Sequence, residues 1–289
     1  MPYQDENKDY KFLSVIKSWP EYFDSMDEGL GTTYERFILH HYFQWISDTY
    51  GVNSILEVPS FGMTGISGIN SLWWAQQGKR AVVVDTDKKR ISKSIDIWNS
   101  IPLEAQFEFT DDLYNLPFSE REFDVSWNFA SIWFVQNLTK FAAELSRVTK
   151  KIIFICVPNR FGIGFILRKY FAEKPLKSIY FNNIKADHIR NNFSEAGFKL
   201  IRNGYLDIPP WPDIAMKKED MFKKVGLGFL VKDSSNENTF EKKCIVDHFS
   251  GKDPNLENEI LKYSFLEKVP FPIKQIWGHH RYFIFARDN

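Results

Sequence analysis

The sequence predicts a doubly wound α/β fold: a mostly parallel sheet, with helices ahead of it and an insertion before its last strand. Three observations predict it. Between Ser54 and Pro158 short apolar strands alternate with helical segments, the succession that builds a parallel sheet with helices on both faces. Ala81-Val-Val-Val84 is a continuous β-branched run, of the kind buried on both sides in such sheets. After Ile208 the alternation lapses through Pro209, Pro210 and Pro212 and returns only at His280.

The elements follow in order. Residues 1 to about 50 are expected to be helical, with Phe37, Ile38, Phe43, Trp45 and Ile46 at helical spacing, Thr32 or Thr33 as a cap, and Gly29 and Gly31 as a joint. Ile55-Leu-Glu-Val58 is a first strand. Ile66, Ile69 and Trp73 mark a helix closed by Gly78. The Ala81 run is the second strand, and Asp87 to Asn99 a helix. Phe107 to Phe109 and Phe123 to Trp127 are strands three and four. Leu138 to Val148 is a helix and Lys151 to Val157 the fifth strand. Lys185 to Gly197 is a helix leading into a strand at Phe198, and His280 to Ala286 is the last strand.

Composition excludes several classes. Lys+Arg and Asp+Glu both number 37, so net charge offers no attraction to nucleic acid or to an anionic membrane, and neither partner is expected. Cys156 and Cys244 are the two cysteines, too few for a cysteine-rich zinc site or a disulfide framework, and no metal is expected. Cys156 lies in the apolar run Ile152 to Val157 and reads as a core thiol. The N-terminus lacks the apolar stretch of a secretory signal, and no run approaches the roughly 20 apolar residues of a membrane helix. The expected location is the cytoplasm.

In an open α/β sheet ligands sit beyond the carboxyl ends of the strands, so the loops there carry the chemistry. The first runs from Glu57 through Gly62, Gly65 and Gly68, glycines that let backbone approach a ligand. Glu57 would repel a pyrophosphate and suits a cationic ligand. In the second, Asp85, followed by Thr86, stands where a carboxylate accepts from ribose hydroxyls; its plainer reading is a helix N-cap. Asp87 reads as a first-turn acid favoured by the helix dipole. The third loop is Thr110 to Phe118, in which Asp112 can accept from an exocyclic amine or simply face solvent.

Taken together these pieces resemble the class I S-adenosylmethionine-dependent methyltransferases, especially their small-molecule type 11 branch. Ile55-Leu-Glu-Val58 with Gly62-Met-Thr-Gly65 resembles the acidic glycine-rich first motif, and Val84-Asp85 the acid after strand two. Asp112 to Phe118 followed by Phe123-Asp-Val125, the Glu144 to Lys150 helix end, Val157-Pro-Asn159 and Ala196-Gly-Phe198 continue the likeness. The resemblance covers about residues 54 to 160. It implies a seven-stranded Rossmann-like sheet and S-adenosylmethionine as cofactor. It places Glu57 near the methionine amino group, Gly62 and Gly65 under the cofactor, Asp85 and Thr86 at the ribose, Asp112 and Leu113 at the adenine, and Asn128 and Phe129 below the methyl. Residues 1–50 would be a helical lid, 51–206 the cofactor-binding core, 207–275 an insertion covering substrate and 276–289 the last strand. In this sequence Pro59 stands where the family has a glycine, and it lacks an N–H.

The acceptor is not legible. The 17% of aromatic residues reads first as a large aromatic core, with a pocket for an aromatic or apolar substrate as the alternative; Trp211, Phe222, Phe229, Phe249 and Phe265 in the insertion make a small, partly apolar acceptor the expectation. The chain has no Asn-Pro-Pro-aromatic stretch after strand four and no cysteine placed for pyrimidine chemistry. No general base is assigned. His40 and His41 are neighbours on the first helix and point in different directions; His279 and His280 read as an edge or cap of the last strand. Tyr34 is a candidate for the carboxylate end of the cofactor. Two alternatives are a binding or regulatory protein on the same fold without turnover, and an NAD-dependent oxidoreductase, which Glu57 and the missing early Gly-x-Gly-x-x-Gly disfavour. Oligomeric state is not written in these features.

Overall fold

The computed structural model describes residues 29–61, 67–166, 180–209 and 244–288. Its centre is one seven-stranded sheet in the order β3-β2-β1-β4-β5-β7-β6. The strands are β1 (Ser54–Glu57), β2 (Arg80–Asp85), β3 (Gln106–Phe109), β4 (Phe123–Phe129), β5 (Thr149–Pro158), β6 (Phe198–Leu206) and β7 (His280–Arg287). All pairings from β3 to β5 are parallel. β7 runs antiparallel between β5 and β6, so it begins at the edge where the other strands end.

The core strands are apolar because both faces are covered. All seven residues of β4 are buried, and so are the last five of β2. One face carries α4 (Leu138–Val148) and α5 (Ala186–Glu195), whose Phe141, Leu145, Ile189 and Phe193 pack with Val82, Ile153 and Phe283. The other face carries α1 (Gly29–Tyr50), the short α2 (Leu72–Gln76) and α3 (Lys88–Trp98). On α1, Phe37, Phe43 and Ile46 form one stripe. Phe43 seats edge-on against Trp127 at 4.8 Å and lies near Trp74 at 5.0 Å.

The aromatic richness is therefore largely core. Of the insertion, the described part holds α6 (Ile245–Phe249), α7 (Leu256–Leu261) and α8 (Phe271–Trp277). Ile245, Phe249, Leu256 and Ile260 join the cluster around α1. Phe249 is thus a core residue, Phe265 is exposed, and Trp211, Phe222 and Phe229 lie outside the described residues.

Three local expectations change. Helix α1 already includes Gly29, so Thr32 and Thr33 are buried inside it and do not cap it. The N-cap of α3 is Asp87, which accepts from Lys89 N and Arg90 N, leaving Asp85 for other work. Strand β4 continues through Phe129, so Asn128 and Phe129 are its last residues and not the start of a loop. Gly78 does close its helix in the left-handed conformation, at φ 68°. Among the described residues no helix is long and apolar enough to cross a membrane.

Candidate cofactor site at the switch point

Strand order reverses between β1 and β4, whose neighbours run outward in opposite directions. A doubly wound sheet opens a crevice there, beyond the carboxyl ends of its strands. Glu57, Asp85 and Asn128 all stand at that edge, at the ends of β1, β2 and β4.

Glu57 is 1% exposed and accepts a 2.5 Å hydrogen bond from Ser71 Oγ. Burial pushes its carboxyl up to about 8, although the Ser71 hydroxyl and the Arg36 guanidinium both favour its charge; nearby Asp85 adds to the rise. Arg36 is itself buried and donates to Asn70 Oδ1. A buried acid held near neutrality is matched to an incoming cation, which would pair with the carboxylate in place of the proton.

Asp85 is 0% exposed and its carboxylate is well supplied with donors. Ser60 Oγ donates to Oδ2 at 2.9 Å and Asp87 N to Oδ1 at 3.0 Å. Arg90 Nε donates to both oxygens at 3.1 Å, and Arg90 Nη2 to Oδ1 at 2.6 Å. The guanidinium in turn lies over the Phe61 ring at 4.3 Å. The loop from β1 is tied down here by Ser60 N, which donates to Val84 O.

Asn128 donates through Nδ2 to Val58 O at 3.2 Å, while its Oδ1 is buried and accepts from nothing among the described residues. Buried polar atoms are nearly always satisfied, so an orphan acceptor at a ligand edge is a place for a ligand N–H or O–H. Phe129 beside it is 3% exposed and packs 4.5 Å from the His280 ring. The third loop starts next to Asp85, since Thr110 N donates to Asp85 O. Asp112 is exposed and accepts from Tyr114 N at 2.8 Å; Leu113 is buried in the core under α4. Thr86 is half-buried between Asp85 and the cap Asp87. Gly62 and Gly65 lie outside the described residues.

The fold thus brings Glu57, Asp85 and Asn128 to one edge and sets Asp112 on the adjoining loop. Sequence reasoning missed Arg90, Ser71 and Arg36, which hold the two acids. Arg90 had a signal in the Asp85-x-Asp87-x-x-Arg90 spacing, which puts an arginine one helical turn past the cap. Other candidates fall elsewhere. His40 sits among Phe37, Phe43, Trp73 and Phe249, and burial holds its imidazole well below its ordinary pKa. His41 faces solvent. Tyr34 donates to Glu267 Oε1 at 3.1 Å. Cys156 is fully buried and its thiol is pushed well up by burial, so it is inert as a nucleophile.

Known proteins resemble this chain in sequence over part of its length and in fold. Residues 62–155 match the family described as "Methyltransferase domain". No curated protein matches the chain. Among solved structures, the magnesium protoporphyrin IX methyltransferase of Synechocystis PCC 6803, with bound S-adenosylhomocysteine, is similar over 96% of both chains, with TM-score 0.52 and 11% identity. A putative sarcosine dimethylglycine methyltransferase of Galdieria sulphuraria covers 85% of each chain at TM-score 0.48 and 11% identity. A methyltransferase of Methanosarcina mazei covers 56% of this chain and 87% of its own at TM-score 0.45 and 14% identity. At such identities the first of these speaks for the fold, and the other two carry no further weight.

Proposed function

We propose that this chain is a class I S-adenosylmethionine-dependent methyltransferase, and that it methylates a small, partly apolar acceptor seated over the ends of β4 and β5 and the start of β7. The observation that carries the reading is Glu57, a buried carboxyl at the switch point whose pKa of about 8 answers to a cationic amino group. The orphan Oδ1 of Asn128 supports it from the next strand.

When bound, the cofactor supplies an electrophilic methyl on a sulfonium that leaves readily. The chain's work is therefore placement. In our reading Glu57 accepts from the cofactor's ammonium, and Gly62 and Gly65 bring backbone close. Asp85, flanked by Thr86, accepts from the ribose once Arg90 gives way. Asp112 and the Leu113 backbone meet the adenine. Asn128 Oδ1 and the Phe129 ring form the floor below the methyl. Alignment of two reactants accounts for a large share of such a barrier, about 7–11 kcal/mol in well-oriented cases. The proposed acceptor edge combines apolar and polar groups: Phe129 is buried against His280, whose Nδ1 lies 3.2 Å from Glu35 Oε2.

Calorimetry with S-adenosylhomocysteine tests the cofactor half. Wild type should bind, and Asp85→Ala should lose at least about tenfold, or about 1.4 kcal/mol. The acceptor half is tested by incubating a cell extract with methyl-labelled cofactor. Label should appear in the small-molecule fraction; label confined to protein or nucleic acid would defeat the small-acceptor reading.

A further inference from the structure

Beside the cofactor edge the fold gathers a second set of groups that are far apart in sequence. His280 opens β7 opposite Pro158, the end of β5, and Leu206, the end of β6. Asp207 follows Leu206 directly, and Glu35 reaches in from α1. His280 Nδ1 lies 3.2 Å from Glu35 Oε2. One ligand atom from each of Glu35, Asp207 and His280 lies within 4.8 Å of the other two.

Charge makes this arrangement unusual. Glu35 and Asp207 are 3% and 2% exposed, so two carboxyl groups have been taken out of water close together. Buried charges are ordinarily paired or coordinate a metal. The ion-pair partner of Glu35 is the His280 imidazole, and its other oxygen, Oε1, is buried and accepts no hydrogen bond among the described residues. The Nδ1–Oε2 contact is not a hydrogen bond: among the described residues Nδ1, too, has no hydrogen-bond partner. Two donor atoms side by side but not bonded to each other are the geometry of two ligands facing a third body. Their 3.2 Å separation is close to the ~3.3 Å edge of a tetrahedron with ~2.0 Å metal bonds. His279 Nδ1, 3.4 Å from Asp207 Oδ2, stands where an outer-shell partner orients a ligating carboxylate.

We propose that Glu35, Asp207 and His280 bind one divalent cation, and that this ion holds an oxygen of the methyl acceptor. Two carboxylate oxygens and one imidazole nitrogen suit Mn2+, Fe2+ or Zn2+ and leave coordination positions open. Phe129 at the end of β4 packs on the His280 ring, which puts the open side next to the floor under the methyl. A bound cation lowers the proton affinity of a coordinated hydroxyl, which fits the absence of an evident base among the histidines on α1. The second half of the proposal rests on the methyltransferase reading; the metal site does not.

The test is titration of the chelator-treated full chain with Mn2+ alone, followed by the electron paramagnetic resonance of the free ion, and with Zn2+ alone by calorimetry. Wild type should bind one equivalent, and bound Mn2+ should show coupling to an imidazole nitrogen. Glu35→Gln and His280→Gln should each weaken metal binding at least tenfold, with unchanged circular dichroism and unchanged affinity for S-adenosylhomocysteine. A wild type that binds S-adenosylhomocysteine but neither metal overturns the site, as does bound Mn2+ without nitrogen coupling. Metal bound without S-adenosylhomocysteine upholds the site and removes the methyl-transfer reading. Should the variants fail to fold, the wild-type stoichiometry and the nitrogen coupling decide alone.

Discussion

Arg90 grips Asp85 with three hydrogen bonds from one guanidinium, between 2.6 and 3.1 Å, and closes the carboxylate that the ribose is expected to use. The pair is intramolecular and local, five residues apart across the cap of α3. Under the proposed ribose contact, arginine and cofactor would compete for the same lone pairs. Removing Arg90 leaves Asp85 buried without its main cation, a loss of about 3–5 kcal/mol for a broken buried pair. We expect Arg90→Ala to melt well below wild type when free. It should bind S-adenosylhomocysteine at least about threefold more tightly, since RT ln 3 is only ~0.65 kcal/mol and several of Asp85's hydrogen bonds become available to the ligand. Calorimetry decides. Weaker binding in the variant would mean that Arg90 itself touches the cofactor.

Glu57 predicts a pH signature. Its carboxyl rises from an ordinary 4.5 to about 8 in the fold, with Ser71, Arg36 and Asp85 as the groups facing it. Between those values the folded chain holds a proton that the unfolded chain has lost, so this residue's contribution to stability falls as pH rises from about 4.5 to about 8 and is flat above. Glu57→Gln removes the effect: its melting temperature should gain on wild type steadily across that window. Ligand binding has the opposite sense. An ammonium favours the ionised carboxylate, so binding at pH 7 should release up to one proton. Calorimetry of S-adenosylhomocysteine in buffers of different ionisation enthalpy reads this directly, and enthalpies that do not depend on the buffer would remove Glu57 from the ammonium site.

The Glu144 to Arg147 segment, part of the family resemblance, turns out to be a clamp. Glu144 Oε1 accepts from Leu116 N at 2.6 Å. Arg147 donates to Glu144 and also to the carbonyls of Leu116 and Phe118. The pair thereby fixes the loop after β3 to α4. Arg147→Ala removes one donor from each of the Leu116 and Phe118 carbonyls and leaves Glu144, 8% exposed, without its cationic partner, although Leu116 O still accepts from Phe118 N and Glu144 from Leu116 N. We expect a loss of about 1–2 kcal/mol by denaturant unfolding, since the Arg147 side chain is partly in solvent. Affinity for S-adenosylhomocysteine should fall only modestly, because the clamp touches the loop's far end and not Asp112. A tenfold loss would place this clamp in the cofactor site.

What the sequence displayed was local and periodic. β-Branched runs such as Val82 to Val84 and helical stripes such as Phe141 and Leu145 announce themselves within a few residues, and all seven strands follow from them. Asp85 was legible as an acid at a strand end, a position that topology alone makes significant. Arg90 was not, because its partnership depends on side-chain direction in the first turn of α3. The Glu35, Asp207 and His280 cluster was hidden for a stronger reason. Its members come from the first helix, the end of β6 and the start of β7, and only the antiparallel insertion of β7 between β5 and β6 makes them neighbours. His279 and His280 therefore read as strand-edge residues until the sheet order was known.

Gly68 shows how tightly the end of the first loop is held. It adopts φ 75°, a left-handed conformation that disfavours side chains, and a Cβ there would come within 2.7 Å of Val83 Cγ1. Val83 is a fully buried residue of β2, pinned on both sides by β1 and β3, so it cannot step aside. The adjacent Ser67 carbonyl accepts from Ser94 Oγ at 2.7 Å, which fixes the same turn against α3. Gly68→Ala therefore carries both a backbone penalty of about 1 kcal/mol and an overpacking cost of about 1–3 kcal/mol. Chemical denaturation should show a total loss of about 2–4 kcal/mol. The loop Gly68 terminates carries Gly62 and Gly65, so the same substitution should also weaken S-adenosylhomocysteine by several fold under conditions where the variant stays folded. A variant as stable as wild type would mean that β2 yields at Val83.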